Sequence, residues 1–361
     1  MTSLRRRRVR PVPLARRPLV SVVIPCFNYA RYVTQAIDSA LSQRGVEIEV
    51  IVVDDHSRDE SADVVAAIAA QDTRVRLFRH PENLGAVRTF NDGLAQARGE
   101  YIVRLDADDL LTPGSLARAA AVAEADPAVG LVYGHPLHFS GASAPRARVR
   151  AERWLIWPGR LWLEGRCRTG INVITSPEAF MRRSVVDIVG GQRDLPHTHD
   201  MEMWLRISAV SDVAYVTGAD QAWHREHPGS LSQSLDPRFG DLVDRRDAFE
   251  TLFAWTADRL PGTPRLRELA MTGLADEALR NLVHLADRGR GDDELRRRYR
   301  DFAIETAPGS TLPHAAAAAR VEERGDRRPT LLQTARAAAR RLRSDCQYAR
   351  WHRTGVFTPD P

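Results

Sequence analysis

The chain has 361 residues, 43% of them hydrophobic, with a formal net charge of +5 and a pI near 9.5. That length suits roughly two domains with a substantial core, and no run approaches the ~18–20 apolar residues that cross a bilayer. Cys26, Cys167 and Cys346 lie far apart without metal-ligand spacing, which favours a reducing, cytoplasmic compartment; the basic N-terminus leads into no apolar stretch, so no signal peptide is expected.

Residues 1–18 hold Arg5-Arg6-Arg7-Arg8, Arg10, Arg16 and Arg17 among Pro11, Pro13 and Pro18. With little to bury, this tail is expected to be disordered. Its charge suits either a solvated tail of no particular role, which is favoured, or an anionic membrane surface. Nucleic acid is not expected as a partner, because no aromatic residues or reading helix accompany the charge.

From Leu19 the pattern is regular. Leu19–Ile24 is a short apolar run stopped by Pro25, as in a strand buried on both faces. Residues 30–43 have helical periodicity. Val50–Val53 is a second buried strand ending at Asp54-Asp55, and Asp59 is a plausible N-cap for a helix to about Ala70. Val75–Phe78 is a third strand, followed by a helix over 85–97 and a strand over 100–105. Pro113 suits the first turn of the next helix, and Val129–Tyr133 is a fifth strand. Strands alternating with such helices predict an α/β fold with a mostly parallel sheet.

Regularity fades over 137–168, which contains Trp154, Trp157 and Trp162, read either as packing or as an acceptor platform. Residues 171–233 read as a further mixed section. Helical pattern runs from 236 to about 345, with breaks near 261–264 and 289–293, and 346–361 form a second tail.

Three carboxylates fall within four residues at Asp106-Ala107-Asp108-Asp109, directly after a strand. Carboxylates this close repel one another unless they are solvated or share a cation. The segment is therefore either an acidic turn or a divalent-metal site for a diphosphate. In a parallel sheet all strand C-termini open on one edge, so Asp54-Asp55 and Asp106–Asp108 should face one crevice. Between them in sequence, Asn83-Leu84-Gly85 permits an unusual turn.

In order and spacing, Val22–Asn28, Val52–Ser57, Asn83–Gly85 and Leu105–Asp109 together resemble the nucleotide-sugar-binding half of a family 2 glycosyltransferase of GT-A fold. The resemblance implies a catalytic domain over 19–235, with a donor half at 19–133 and an acceptor half at 134–235, and a helical C-terminal extension. It implies that Pro25 and Phe27 line the base pocket, beside Asn28. Asp55 would accept from the base N–H, Asp54 would support the turn, and Asn83, Gly85 and Arg88 would lie at the donor. Asp106 would contact ribose or metal, Asp108 would be the principal ligand of Mg²⁺ or Mn²⁺, and Asp109 is either a further ligand or a helix cap.

Downstream, His199-Asp200-Met201-Glu202-Met203-Trp204 resembles the family's acidic helix start, with His199 where Glu is usual. Asp200 would be the general base of an inverting reaction. The readings left open are Asp200 as an N-cap and Glu202 as the base. Trp223–Ser232 resembles the late loop that folds over the donor, which would put His227 at the metal and Arg225 at phosphate. His197, His199 and His224 lack the spacing of a zinc site, and Gln347–Trp351 matches a processive-synthase motif only by coincidence.

The expected activity is non-processive transfer from a nucleoside-diphosphate sugar to an acceptor hydroxyl, in a cytoplasmic protein. The helical extension would serve acceptor binding, a homodimer or membrane docking. A sugar nucleotidyltransferase is disfavoured, because Pro25–Asn28 lacks a Gly-rich basic loop. A catalytically inactive nucleotide-sugar-binding module is the rival that His199 keeps open.

Overall fold

The computed structural model describes residues 5–227, 239–288, 293–324 and 330–354. They divide into two compact units, one formed by residues up to 162 with 173–230, the other by 163–172 with 231 onward.

The first unit is built on one sheet. Its strands are β1 (Arg7–Val9), β2 (Leu19–Cys26), β3 (Glu47–Asp54), β4 (Val75–Arg79), β5 (Tyr101–Arg104), β6 (Leu110–Leu111), β7 (Val129–Phe139), β8 (Arg153–Trp157), β9 (Phe180–Arg182) and β10 (Asp212–Arg225). The spatial order is β1-β8-β10-β7-β9-β5-β2-β3-β4, with β6 pairing β10. The donor half, β5-β2-β3-β4, is parallel throughout. Parallel pairing returns at β7-β10, and antiparallel β9 joins the two halves between β5 and β7.

Val20, Val22, Val23 and Ile24 of β2 and Val50–Val53 of β3 are almost wholly buried. Both sheet faces are therefore covered, as a continuous apolar run requires. The covering helices are α1 (Val33–Leu41), α2 (Ser61–Gln71), α3 (Ala86–Gln96) and α4 (Ser115–Ala125), then α6 (Arg183–Val189) and α7 (His199–Val210). The segment read as irregular contains β8 and α5 (Gly159–Thr169). Trp154 and Trp162 are buried there, so they pack the fold and form no platform.

The N-terminal tail departs from expectation. Arg7–Val9 pairs antiparallel with β8, and Arg16 bridges Glu100 and Glu124. Composition gave no core, but edge-strand backbone bonds need none. Two caps also shift. Glu60, not Asp59, is the N-cap of α2, although Asp59 Oδ1 accepts the Ser61 N–H at 3.0 Å. Pro113 precedes α4, which begins at Ser115.

The second unit contains α8 (Gly240–Thr256), α9 (Thr263–Asp287), α10 (Asp293–Thr306), α11 (Ala315–Arg324) and α12 (Leu331–Thr354), which extends past the expected end near 345. Phe249, Leu252, Leu274, Ala278 and Leu282 form its core, and Pro264 sits in the first turn of α9. Arg245 is held by Glu277 and by the Gly170 carbonyl. Among the described residues no helix is long and apolar enough to cross a membrane.

Candidate functional site

The C-terminal ends of β2, β3 and β5 bring the acidic motifs to one sheet edge, as the parallel register dictates. After β2, Phe27 is 39% exposed and follows half-buried Pro25. Asn28 has φ 61°, a left-handed conformation that Asn tolerates. Its N–H donates to Ser57 Oγ at 2.9 Å, and its Oδ1 accepts the Arg58 N–H at 2.7 Å. Asn28 thus ties the loop after β2 to the loop after β3.

The carboxylates of Asp54, the last residue of β3, and of Asp55 are both engaged by nearby backbone N–H groups. Asp55 Oδ1 accepts the Leu84 N–H at 2.8 Å and faces His80 Nδ1 at 2.8 Å, while Oδ2 accepts the Gly85 N–H at 2.9 Å. Asn83 Nδ2 donates to the Asp55 carbonyl. Most of the acceptor capacity of Asp55 is therefore spent on the Asn83-Leu84-Gly85 turn, and not on a base N–H. Gly85 has φ 85° with open space where a Cβ would lie, so its requirement is conformational. Asp54 Oδ2 accepts the Ser57 N–H, leaving Oδ1 buried without a hydrogen-bond partner. Arg88, in the first turn of α3, is exposed and paired with Asp92 at 2.8 Å.

The acidic cluster sorts by burial. Asp106 is the most open member and accepts from Arg104 Nε at 3.0 Å. Asp108 is buried, with Oδ2 at 2.9 Å from His227 Nε2. Burial first, then the charge of Asp106, raises its pKa. Asp109 is enclosed and accepts the Arg225 N–H at 2.7 Å, with His224 Nδ1 at 3.0 Å. Its carboxyl is pushed up to about 7 by burial, against the pull of His224. Its partners lie on β10, so Asp109 fastens the acidic loop to that strand and does not cap a helix.

Arg225 does not face a phosphate. It is 2% exposed; Nε donates to the Asp108 carbonyl, Nη1 to the Gly141 carbonyl and Nη2 to Gln35 Oε1. Its guanidinium also lies over Tyr32 and Phe139. A cation so enclosed positions the acidic loop from within the protein. His227 packs at 5.2 Å from the Tyr32 ring and near Tyr29. The remainder of the expected late loop, Pro228–Ser232, lies outside the described residues.

On the other side, Asp200 occupies the first turn of α7, whose N-cap is Thr198. Its Oδ1 accepts the Met201 N–H, and its Oδ2 accepts from Ser176 Oγ at 3.0 Å. The N-cap position itself thus belongs to Thr198, although Asp200 takes up one first-turn N–H. Burial is the main cause raising the Asp200 pKa; Arg104 opposes it and Asp106 adds to it. Ser176 has φ 92°, a strained conformation for a non-glycine residue beside the candidate base. Glu202 is wholly buried in a fork with Arg206, at 2.6 and 2.7 Å, so it is not free to take a substrate proton. Arg206 also holds the Val189, Gly190 and Gly191 carbonyls, which fixes the glycine turn. His199 Nδ1 faces the Leu195 carbonyl, and burial followed by Arg104 lowers its pKa to about 3.

Sequence reasoning missed Arg104, 4% exposed, whose Nη1 donates to Gln192 Oε1 at 2.7 Å. It also missed Ser176 and Gln192. Only the Arg immediately before Leu105-Asp106 could have drawn attention beforehand.

Asp106 and Asp108 offer carboxylate donors that suit Mg²⁺ or Mn²⁺, and His227 lies against Asp108. No group of three or more His, Cys, Asp or Glu side chains converges on a metal position among the described residues. That still fits a cation held by one or two carboxylates and completed by substrate phosphates.

The model of Glycosyl transferase family 2 matches residues 21–190. An uncharacterized protein of Mycobacterium tuberculosis is 32% identical over 221 residues, 55% of this chain and 65% of its own length. Succinoglycan biosynthesis protein ExoO of Rhizobium meliloti is 42% identical over 115 residues, 32% of each chain. An uncharacterized glycosyltransferase of Haemophilus influenzae is 40% identical over 99 residues, 27% of this chain and 40% of its own. The chain thus spans from about a third to about two thirds of the length of these relatives.

Two solved structures share the fold. Staphylococcus aureus TarS 1-349 in complex with UDP-GlcNAc has a TM-score of 0.54 at 15% identity, covering 80% of this chain and 89% of its own. The mannosyltransferase PcManGT of Pyrobaculum calidifontis, in complex with GDP-Man and Mn2+, has a TM-score of 0.53 at 22% identity, covering 87% and 82%. Residues 21–190 thus match glycosyl transferase family 2, on the GT-A fold that these two structures share.

Proposed function

We propose that the chain transfers one sugar from a nucleoside-diphosphate sugar to an acceptor hydroxyl, with inversion, without processive elongation and with a divalent cation. The observation that carries this reading is that one buried cation, Arg104, acts on both halves of the site. It binds Asp106 at the donor side, and its charge opposes the burial that raises the Asp200 pKa at the acceptor side.

Asp200 takes the proton from the acceptor hydroxyl as its oxygen attacks the anomeric carbon. Ser176 orients the carboxylate through Oδ2. Neutral His199 adds no cation beside it, so the base keeps the raised pKa that burial gives. Asp108 and Asp106, with His227 beside Asp108, would hold Mg²⁺ or Mn²⁺ together with the donor's phosphates, and the cation would offset charge developing on the leaving diphosphate. Phe27 and Pro25 offer an apolar surface to the base, beside the turn that Asp55 ties to Asn83-Leu84-Gly85.

Binding and transfer of UDP- and GDP-sugars with Mn²⁺ test the reading. Asp200→Asn is expected to keep donor affinity and lose transfer by about 10²–10⁴-fold, the usual contribution of a general base. Asp108→Ala is expected to abolish the Mn²⁺-dependent gain in donor affinity. Undiminished transfer by Asp200→Asn would remove Asp200 as the base.

A further inference from the structure

A cavity of about 1050 Å³ lies in the first unit away from the acidic loop, and Arg10, Arg146, Arg148, Arg150 and Arg153 line it. Glu152 is the one acid in that lining, which is completed by Pro11, Ala147, Val149, Ala151 and Gly218. Arginines sharing one lining repel one another unless they are paired. Among the described residues, only Arg148 of the five has an ion-pair partner, buried Asp220 at 2.5 Å. Pairing of β1 with β8 carries Arg10 to this place, and residues 146, 148 and 150 supply an arginine at every second position.

The cavity is tied to the candidate site by one segment. Gly141 accepts from Arg225, which itself donates to the Asp108 carbonyl. From there the chain is fixed alongside β10: Trp223 Nε1 donates to the Pro145 carbonyl, Arg148 pairs with Asp220, and the Glu152 N–H donates to the Thr217 carbonyl. Arg146 lies five positions after Gly141, a reach of at most about 18 Å.

We propose that this cavity holds an anionic stretch of the acceptor, a chain bearing phosphate or carboxylate groups, while its terminal hydroxyl lies at Asp200. The proposal rests on the transfer reaction given above. Arginine forks pair with phosphates and carboxylates in two-pronged fashion. The lining has no aromatic ring on which nucleic acid bases would stack. An extended polyanion satisfies both the concavity and the repeated arginines.

The test compares the wild-type chain with a triple variant, Arg146→Gln, Arg150→Gln and Arg153→Gln, which keeps the Arg148–Asp220 pair. The probes are sodium polyphosphate, vesicles of phosphatidylglycerol and phosphatidylcholine, and UDP-GlcNAc or GDP-mannose with Mn²⁺. Polyphosphate should bind the wild type with an affinity that falls as salt rises, and the triple variant should bind it at least tenfold more weakly. Equal polyphosphate affinity in both proteins overturns the proposal. So does vesicle capture that depends on the three arginines without polyphosphate binding, since it assigns the surface to a membrane. Nucleotide-sugar binding is read separately: its absence from both proteins overturns the donor site, while its retention in both shows that the substitutions act on the cavity.

Discussion

Arg104 donates from Nε to Asp106 Oδ1 at 3.0 Å while lying almost wholly inside the protein. Its neighbours are the Phe90 ring and Gln192. A buried cation is stable only when paired and hydrogen-bonded, so the geometry of Asp106 and the charge felt by Asp200 are set by the same side chain.

Arg104→Gln is therefore expected to change the pH profile as well as the fold stability. Removing the cation raises the Asp200 pKa, so the basic-form limb of kcat/KM moves to higher pH. Unfolding measurements should show a loss of about 1.5–3 kcal/mol, the range for hydrogen bonds to charged groups, because Asp106 is partly open to solvent. A limb that stays in place would mean that Asp200 is not the titrating base.

Glu202→Gln breaks the buried fork with Arg206. It should cost about 3–5 kcal/mol, the usual cost of breaking a buried pair, while the fraction that remains folded keeps transfer. Asp200→Asn should do the reverse. Thermal melting and specific activity per folded protein separate the two acids.

His199 ordinarily titrates near 6.5 but is held to about 3 by burial and by Arg104. The unfolded chain then binds a proton that the folded chain refuses. Stability is full above about pH 6.5 and falls as pH drops from there towards 3, by a few kcal/mol in order of magnitude. His199→Asn should flatten that part of the curve, seen as a smaller drop in Tm between pH 7 and pH 4.

Arg16 is exposed, and so are its partners Glu100 and Glu124 in part. Arg16→Ala should cost at most about 1 kcal/mol. Deleting residues 1–10 has a different consequence, because it uncovers the edge of β8. Size-exclusion chromatography should then show self-association, which an exposed edge strand promotes.

The elements of the donor half were legible because Val22–Ile24 and Val50–Val53 are continuous apolar runs closed by Pro25 and by Asp54-Asp55, which is how a strand buried on both faces must read. The acidic cluster was legible too, since its spacing is local. What was not legible lay in partners far along the chain. Asp109 meets His224 and Arg225 across the sheet. Asp55 serves a turn nearly thirty residues away. Arg225 is an ordinary cation in sequence and becomes an internal positioning group only when Gly141, Gln35 and two aromatic rings surround it.

The sequence by itself determined the alternation of strands and helices, and with it the single edge where Asp54, Asp106 and Asp108 gather, because a parallel sheet places every strand C-terminus on one side. Tertiary structure alone decided which carboxylates stay available. Hydrogen bonds and burial took Asp55, Asp109 and Glu202 into the framework, and left Asp106 the most open member of the acidic cluster. It also decided the fate of the arginines. Edge pairing of β1 turned a basic tail into part of a cavity wall, since backbone bonds at a sheet edge depend on geometry that composition does not carry.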